Sequence, residues 1–291
     1  MQVHLIDGTY ELFRQHFGQV SRHGSAGPFD AAAGVVSSTL QLVSRGATHI
    51  GVASDHVIES FRNDLYAGYK TSDGMEPVLL AQIPVMEDAL IACGFTTWAM
   101  VEWEADDALA AAAAVAEQDS RVDRVLLVTP DKDHGQCLRG DRVVQYDRRK
   151  DEIVDEAGVT AKFGVPPRSI ADYLALVGDA ADGYPGLPGW GAKSAATVLA
   201  KFGAIEAIPA SSADWGLPAL RGAEKLAVTL RQQMADALLF KVIATVALDV
   251  PVGTVDDWRW QGPTPAFALL AARLGAPELA ERAASVYERT R

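Results

Sequence analysis

Nine carboxylates stand where a chain of alternating strands and helices would bring them together. Asp7 follows the apolar run Val3–Ile6, and Asp55 ends Val52-Ala53-Ser54-Asp55. Glu104, Asp106 and Asp107 open a helical stretch, Asp131 and Asp133 follow Val125–Thr129, and Asp179 and Asp182 lie in Gly178-Asp179-Ala180-Ala181-Asp182. Crowded like charges raise one another's pKa, so such a group is unfavourable without cations. Hard carboxylate oxygens suit Mg2+ or Mn2+. Two such ions about 4 Å apart can activate water and stabilise both oxygens of an in-line phosphoryl displacement. No His or Cys cluster has zinc spacing. Each acid alone has a plainer reading: Asp7 and Asp55 as turn or cap residues, Glu104–Asp107 as the acidic first turn of a helix, Asp131 and Asp133 as a solvated loop, Asp179 and Asp182 as caps. Their joint occurrence at strand ends points to chemistry on a phosphate.

The elements that would position them are legible from periodicity. Val3–Ile6, His49–Ser54 and Val125–Thr129 read as buried strands. Asp30–Arg45, Pro77–Cys93 and Ala105–Gln118 carry apolar residues at three- and four-residue spacing and read as helices. The alternation predicts a parallel sheet covered on both faces, with ligands at the carboxyl ends of its strands. From about Pro166 the pattern turns helical: Arg168–Val177, Ala192–Phe202, Ala223–Val246 and Pro265–Leu274, with Ser211–Pro218 as a loop. Gly186-Leu187-Pro188-Gly189-Trp190-Gly191 reads as a tight hairpin, because Gly and Pro set turn dihedrals. No repeat or low-complexity tail is present.

Composition narrows the class. With 291 residues, 49% hydrophobic and 22% charged, the chain suits one large domain or two smaller ones. The start lacks a basic region followed by an apolar stretch, and the longest apolar run, Ala108–Ala116, is too short to span a bilayer. Two cysteines, Cys93 and Cys137, make no disulfide framework and fit a reducing cytoplasm. A net charge of −12 argues against a nucleic-acid partner, but it becomes −3 when the nine motif acids are set aside, and bound divalent ions would add positive charge where phosphate must lie.

At these residues the sequence resembles the 5′-nuclease family, which includes the 5′–3′ exonuclease domain of bacterial DNA polymerase I, phage 5′-exonucleases and flap endonucleases. Asp7-Gly8 with Arg14 is similar to its first motif, and Asp55 with Phe61-Arg62 and Tyr69-Lys70 to its second. Glu104-Ala105-Asp106-Asp107 and Asp131-Lys132-Asp133, with Gln136, resemble the third and fourth. Phe163–Pro167, Gly178–Ala195, Ile243-Ala244-Thr245 and Asp249-Val250-Pro251 continue the likeness in the same order, over roughly residues 1–255. Three departures stand out: Pro130 where the family usually has Gly, Gly183 where it has Asn, and Asp73 near a common Arg.

The resemblance implies an α/β fold: a parallel-sheet, PIN-like (Rossmann-like) nuclease core over residues 1–165, with an arch segment at about 70–91. A helical DNA-binding region would follow over 166–291, with a helix-hairpin-helix (H3TH) motif at about 168–202. It implies two metal regions, Asp7, Asp55, Glu104, Asp106 and Asp107 in one, Asp133, Asp179 and Asp182 in the other, with Asp131 shared or nearby. Lys70 and Arg62 match basic residues placed near the scissile phosphate. Tyr10 and Arg14 would meet DNA after Asp7. Gly189, Gly191, Lys193 and Ser194 would hold DNA phosphates at the hairpin, where the family often holds K+. The arch segment has no basic residue after Lys70, so weak, salt-sensitive DNA affinity is expected. The implied function is a Mg2+- or Mn2+-dependent 5′–3′ exonuclease and flap endonuclease of replication or repair. It would be a cytoplasmic, nucleoid-associated monomer that acts alone or recruits a DNA polymerase, with no membrane partner. The rivals are a non-catalytic DNA-junction binder, a PIN-type ribonuclease, against which Asp179, Asp182 and the hairpin argue, and a small-molecule phosphohydrolase that would not need the hairpin.

Overall fold

The apolar runs expected as strands are strands, and they are buried. The computed structural model describes residues 1–290; residue 291, the last of the expected helical region, lies outside them. In chain order the elements are β1 (Gln2–Asp7), α1 (Gly8–His23), α2 (Asp30–Ser44), β2 (His49–Asp55), α3 (Phe61–Leu65), α4 (Pro77–Leu80), α5 (Gln82–Ala92), β3 (Thr96–Met100), α6 (Ala105–Gln118) and β4 (Arg124–Val128). They continue with β5 (Val143–Asp147), β6 (Glu152–Val154), α7 (Glu156–Phe163), α8 (Ile170–Val177), α9 (Ala192–Phe202), α10 (Ala223–Gln232), α11 (Met234–Ala244), α12 (Phe267–Arg273) and α13 (Glu278–Thr290). Among the described residues no helix is long and apolar enough to cross a membrane.

Two compact units form. The first comprises Met1–Ile58, Ser72–Thr129 and the chain from Ala247 onward; the second comprises Glu59–Thr71 and Pro130–Val246. In the first, four parallel strands run in the order β3-β2-β1-β4. Asp7 lies opposite Ala53 and Asp55 opposite Met100, so both acids stand at the carboxyl ends of their strands. The alanines of α6, Ala108 to Ala113 apart from Leu109, are at most 2% exposed. Such short side chains let the helix pack closely on β1, β2, β3 and β4. In the second unit α8 is the hub: Ile170–Leu176 is buried and packs against α9 and α11. β5 and β6 form an antiparallel pair.

The two units interleave in sequence, and the chain from Ala247 onward belongs with the first. Trp258 and Trp260, expected to belong with the helical region, are buried in the first unit. Trp98 meets Trp258 edge-on at 5.6 Å, Phe95 stacks on Trp260 at 5.8 Å, and the Trp260 indole donates to the Cys93 carbonyl at 2.9 Å. Large aromatic surfaces of this kind dominate a core, and they carry α12 and α13 with them onto α5 and α2.

Of the segment expected as an arch, about 70–91, the α5 part packs into the core: Ile83, Val85, Met86, Ala89 and Leu90 are buried, and the buried Gln82 Oε1 accepts 3.1 Å bonds from the amides of Ala31 and Ala32 at the start of α2, while of residues 70–81 Leu79 alone is buried. Two helix expectations need correction. The single helix Pro77–Cys93 is broken at Ala81, because Pro84 has no N–H to give and its ring clashes with the carbonyl four residues earlier. The helix expected over Ala223–Val246 is two, α10 and α11, separated at Gln233, where φ is −118° and ψ 30°.

Arg62, expected beside the scissile phosphate, is 2% exposed. Its Nε donates to the Ile243 carbonyl at 2.8 Å and an Nη to that of Thr245 at 3.1 Å, tying α3 to the end of α11. Two of its donors thus serve backbone, and burial keeps the side chain off the surface. Arg62→Ala strands the carbonyl of buried Ile243, frees that of Thr245 and leaves a cavity, so urea titration is expected to show a loss of about 3 kcal/mol.

Candidate metal centre and nucleic-acid interface

In the first unit the acids are bound into the backbone around the strand ends. The Asp7 carboxylate caps α1, accepting from Tyr10 N–H at 2.8 Å, and its other oxygen accepts from the Thr129 hydroxyl at 3.1 Å. Asp55 Oδ1 accepts from Ala105 N–H at 2.8 Å, which fixes the end of β2 to the start of α6. Glu104 precedes that helix and is 3% exposed, and Asp106 is half-buried in its first turn. Asp107 differs from the rest. It is fully buried, with Oδ2 taking Glu104 N–H at 3.0 Å and Oδ1 taking Ala247 N–H at 2.7 Å. Both oxygens accept backbone N–H bonds, so this acid, expected among the metal ligands, also caps the helix.

In the second unit Asp133, Asp179 and Asp182 each offer an oxygen within 4.8 Å of the others. Asp133 begins a short 3-10 turn after Lys132, and Asp131 Oδ1 accepts from its amide at 3.2 Å. Asp179 and Asp182 lie in the loop after α8. There Asp179 and Tyr184 exchange backbone hydrogen bonds of 2.9 and 3.1 Å. Gly183 has φ +85°, and a Cβ on it would lie 2.2 Å from the Gly68 carbonyl oxygen. The Asn common at this position in the resembled family therefore has no room here, which accounts for that departure.

Cations balance the cluster. Lys132 contacts Asp179, and Lys70 Nζ lies 3.2 Å from Asp182. Burial opposes the charge of Lys132, but Asp179, then Asp133 and Asp131, outweigh it and hold its pKa above the usual lysine value. The Tyr184 hydroxyl is buried with no hydrogen-bond partner among the described residues. Burial and the carboxylates of Asp133, Asp179, Asp182 and Asp131 push its pKa up. An all-carboxylate donor set beside an orphaned buried hydroxyl fits a hard divalent cation with its ligands. Neither Tyr184 nor the pairing of Lys132 was foreseen from sequence; only the Asp-Lys-Asp spacing hinted at the second.

Tyr10 is half-buried, and Arg14 is held by Glu11 through contacts of 2.6 and 3.1 Å while its side chain stays 30% exposed. Between α8 and α9, Gly189 and Gly191 have open space where a Cβ would stand. Ser194 turns inward: its hydroxyl accepts from Gly191 N–H at 3.0 Å, capping α9. Lys193 is exposed. It lines a cavity of about 1150 Å3 together with Gly189, Gly191, Arg221 and Lys225. Arg221 and Lys225 were also missed, because nothing in their spacing ties them to the hairpin.

Residues 2–164 match the family described as 5′-3′ exonuclease, N-terminal resolvase-like domain, and residues 165–266 match 5′-3′ exonuclease, C-terminal SAM fold. The chain belongs to the 5′-3′ exonuclease family. A 5′-3′ exonuclease of Aquifex aeolicus is 33% identical over 209 residues, covering 71% of each chain. DNA polymerase I of Bacillus caldotenax is 33% identical over 267 residues, which is 89% of this chain and 29% of that one, so this 5′-3′ exonuclease family member spans under a third of that relative. The flap endonuclease of bacteriophage T5, solved in a complex with DNA and metal ions, shares the fold: TM-score 0.65 at 20% identity, over 99% of this chain and 98% of that one.

The two kinds of acid separate by substitution. Asp107→Ala deprives two backbone amides of their acceptor and is expected to lower unfolding free energy by about 2 kcal/mol. Asp182→Asn, at the least buried acid of the second unit's cluster, should change it by less than half as much, as thermal melts of the two variants will register.

Proposed function

We propose that this chain is a divalent-metal-dependent 5′–3′ exonuclease and structure-specific flap endonuclease that hydrolyses DNA phosphodiesters in replication or repair. The observation that carries the reading is the convergence of Asp133, Asp179 and Asp182 within 4.8 Å, next to a buried Tyr184 hydroxyl, in a member of the 5′-3′ exonuclease family.

Asp7, Asp55, Glu104 and Asp106 would hold one metal region, and Asp133, Asp179 and Asp182 the other, with Asp131 beside them. Mg2+ or Mn2+ bound there would supply the Lewis acidity that activates water and offsets charge on the phosphoryl oxygens. Lys70 is the basic side chain left to face a phosphate, and it would reach one by exchanging its Asp182 partner. Lys193, with the N–H groups at the start of α9, would grip the DNA backbone, and K+ would sit at the carbonyls around Gly189 and Gly191. Tyr10 and Arg14 would steer the strand near its 5′ end. Support for the DNA partner comes from the T5 relative's complex. The polymerase relatives support a polymerase working on the same DNA, joined or recruited.

Three measurements test the reading. A 5′-labelled flap duplex should be cut in the presence of Mg2+ and spared in EDTA; a gel shift without cutting would instead assign a junction binder. Asp131→Asn is expected to abolish cleavage with DNA affinity kept, and a variant that cuts at the wild-type rate would refute that residue's part. Lys193→Glu should weaken duplex binding and flatten its salt dependence by about one phosphate contact, without loss of metal.

A further inference from the structure

The carboxylate cluster of the second unit carries a counter-ion of its own, in a position where it must compete. One oxygen of Asp179 accepts from Ala181 N–H at 3.0 Å, and the other is in contact with the Lys132 ammonium. Both oxygens of this 5% exposed residue are thus engaged. Lys132 is half-buried, and Asp131 and Asp133 flank it in sequence and add to its field. A separate observation shows that the cluster is built for a ligand: Tyr184, 1% exposed, keeps its hydroxyl among these carboxylates with no partner among the described residues.

We propose that Lys132 is the resident counter-ion of the Asp133–Asp179–Asp182 cluster, so that a divalent cation enters by exchange, with Lys132 leaving Asp179. The inference rests on the metal reading above. Neither partner of a part-buried pair can be left uncompensated cheaply, so departure of the ammonium and arrival of the cation are linked. The consequence is a weakened affinity at this cluster and an ammonium released beside it when the cation is bound.

Mn2+ titration of the intact chain followed by electron paramagnetic resonance tests this, with Asp182→Ala marking the binding event that belongs to the cluster. In Lys132→Met that event should tighten about fivefold or more, and Lys132→Arg, which keeps the charge, should stay at the wild-type value. Lys132→Gln serves if the methionine variant does not fold. In the unsubstituted chain, the Lys132 Nζ resonance should shift as Mg2+ is added. Equal Mn2+ affinity in wild type and Lys132→Met or Lys132→Gln would overturn the inference alone. Loss of every Mn2+ event sensitive to Asp182→Ala, in all variants, would overturn it together with the metal reading.

Discussion

Mutual repulsion among Asp133, Asp179 and Asp182 is the constraint to which the second unit is fitted. Three carboxylates within 4.8 Å do not assemble spontaneously; something must hold them there. Backbone does so on one side. The loop after α8 folds back so that Asp179 and Tyr184 bond to each other, and glycines let segments touch where a side chain could not: a Cβ on Gly178 would stand 2.4 Å from Pro185. Burial of α8 between α9 and α11 supplies the favourable energy that keeps this loop in place, and lysine ammonium groups relieve the charge.

How much of this was legible in the sequence depends on the range of the interaction responsible. β1, β2 and β4 were readable because a buried parallel strand is an unbroken apolar run, and α6, α8 and α9 because their periodicity and caps are local. Asp133, Asp179 and Asp182 stood out through residue type and spacing. Arg62 did not declare its role: a guanidinium bound to carbonyls 181 and 183 residues away has the same local sequence as one that faces a phosphate. The same holds for Asp107, whose acceptor role depends on the amide of Ala247. The mostly apolar stretch Gln82–Ala92 could equally have been a clamp or a core helix, and only the neighbours that bury it decide. Tyr184 was passed over because a tyrosine in a glycine-rich loop says nothing of where its hydroxyl ends.

The net charge of −12 misleads in a way the structure makes plain. A binding surface responds to local field, not to the sum. Lys132, Lys70 and Lys241 are paired with Asp179, Asp182 and Asp172. Lys193, Arg221 and Lys225 share one cavity wall whose lining includes no carboxylate. An acidic chain can therefore present a basic face to a polyanion while keeping its other cations for its own acids.

The interleaving of the two units has a bearing on synthesis. The β3-β2-β1-β4 sheet is written in the first 128 residues, but Trp258 and Trp260, which seal its β3 side, and α13, which covers α2, emerge from the ribosome well over a hundred residues after it. While the middle of the chain is being made, apolar surface around Phe95 and Trp98 has no cover. Such nascent intermediates are where chaperones act and where aggregation begins. The second unit, made of Glu59–Thr71 and the continuous stretch Pro130–Val246, is free to fold before the first is finished.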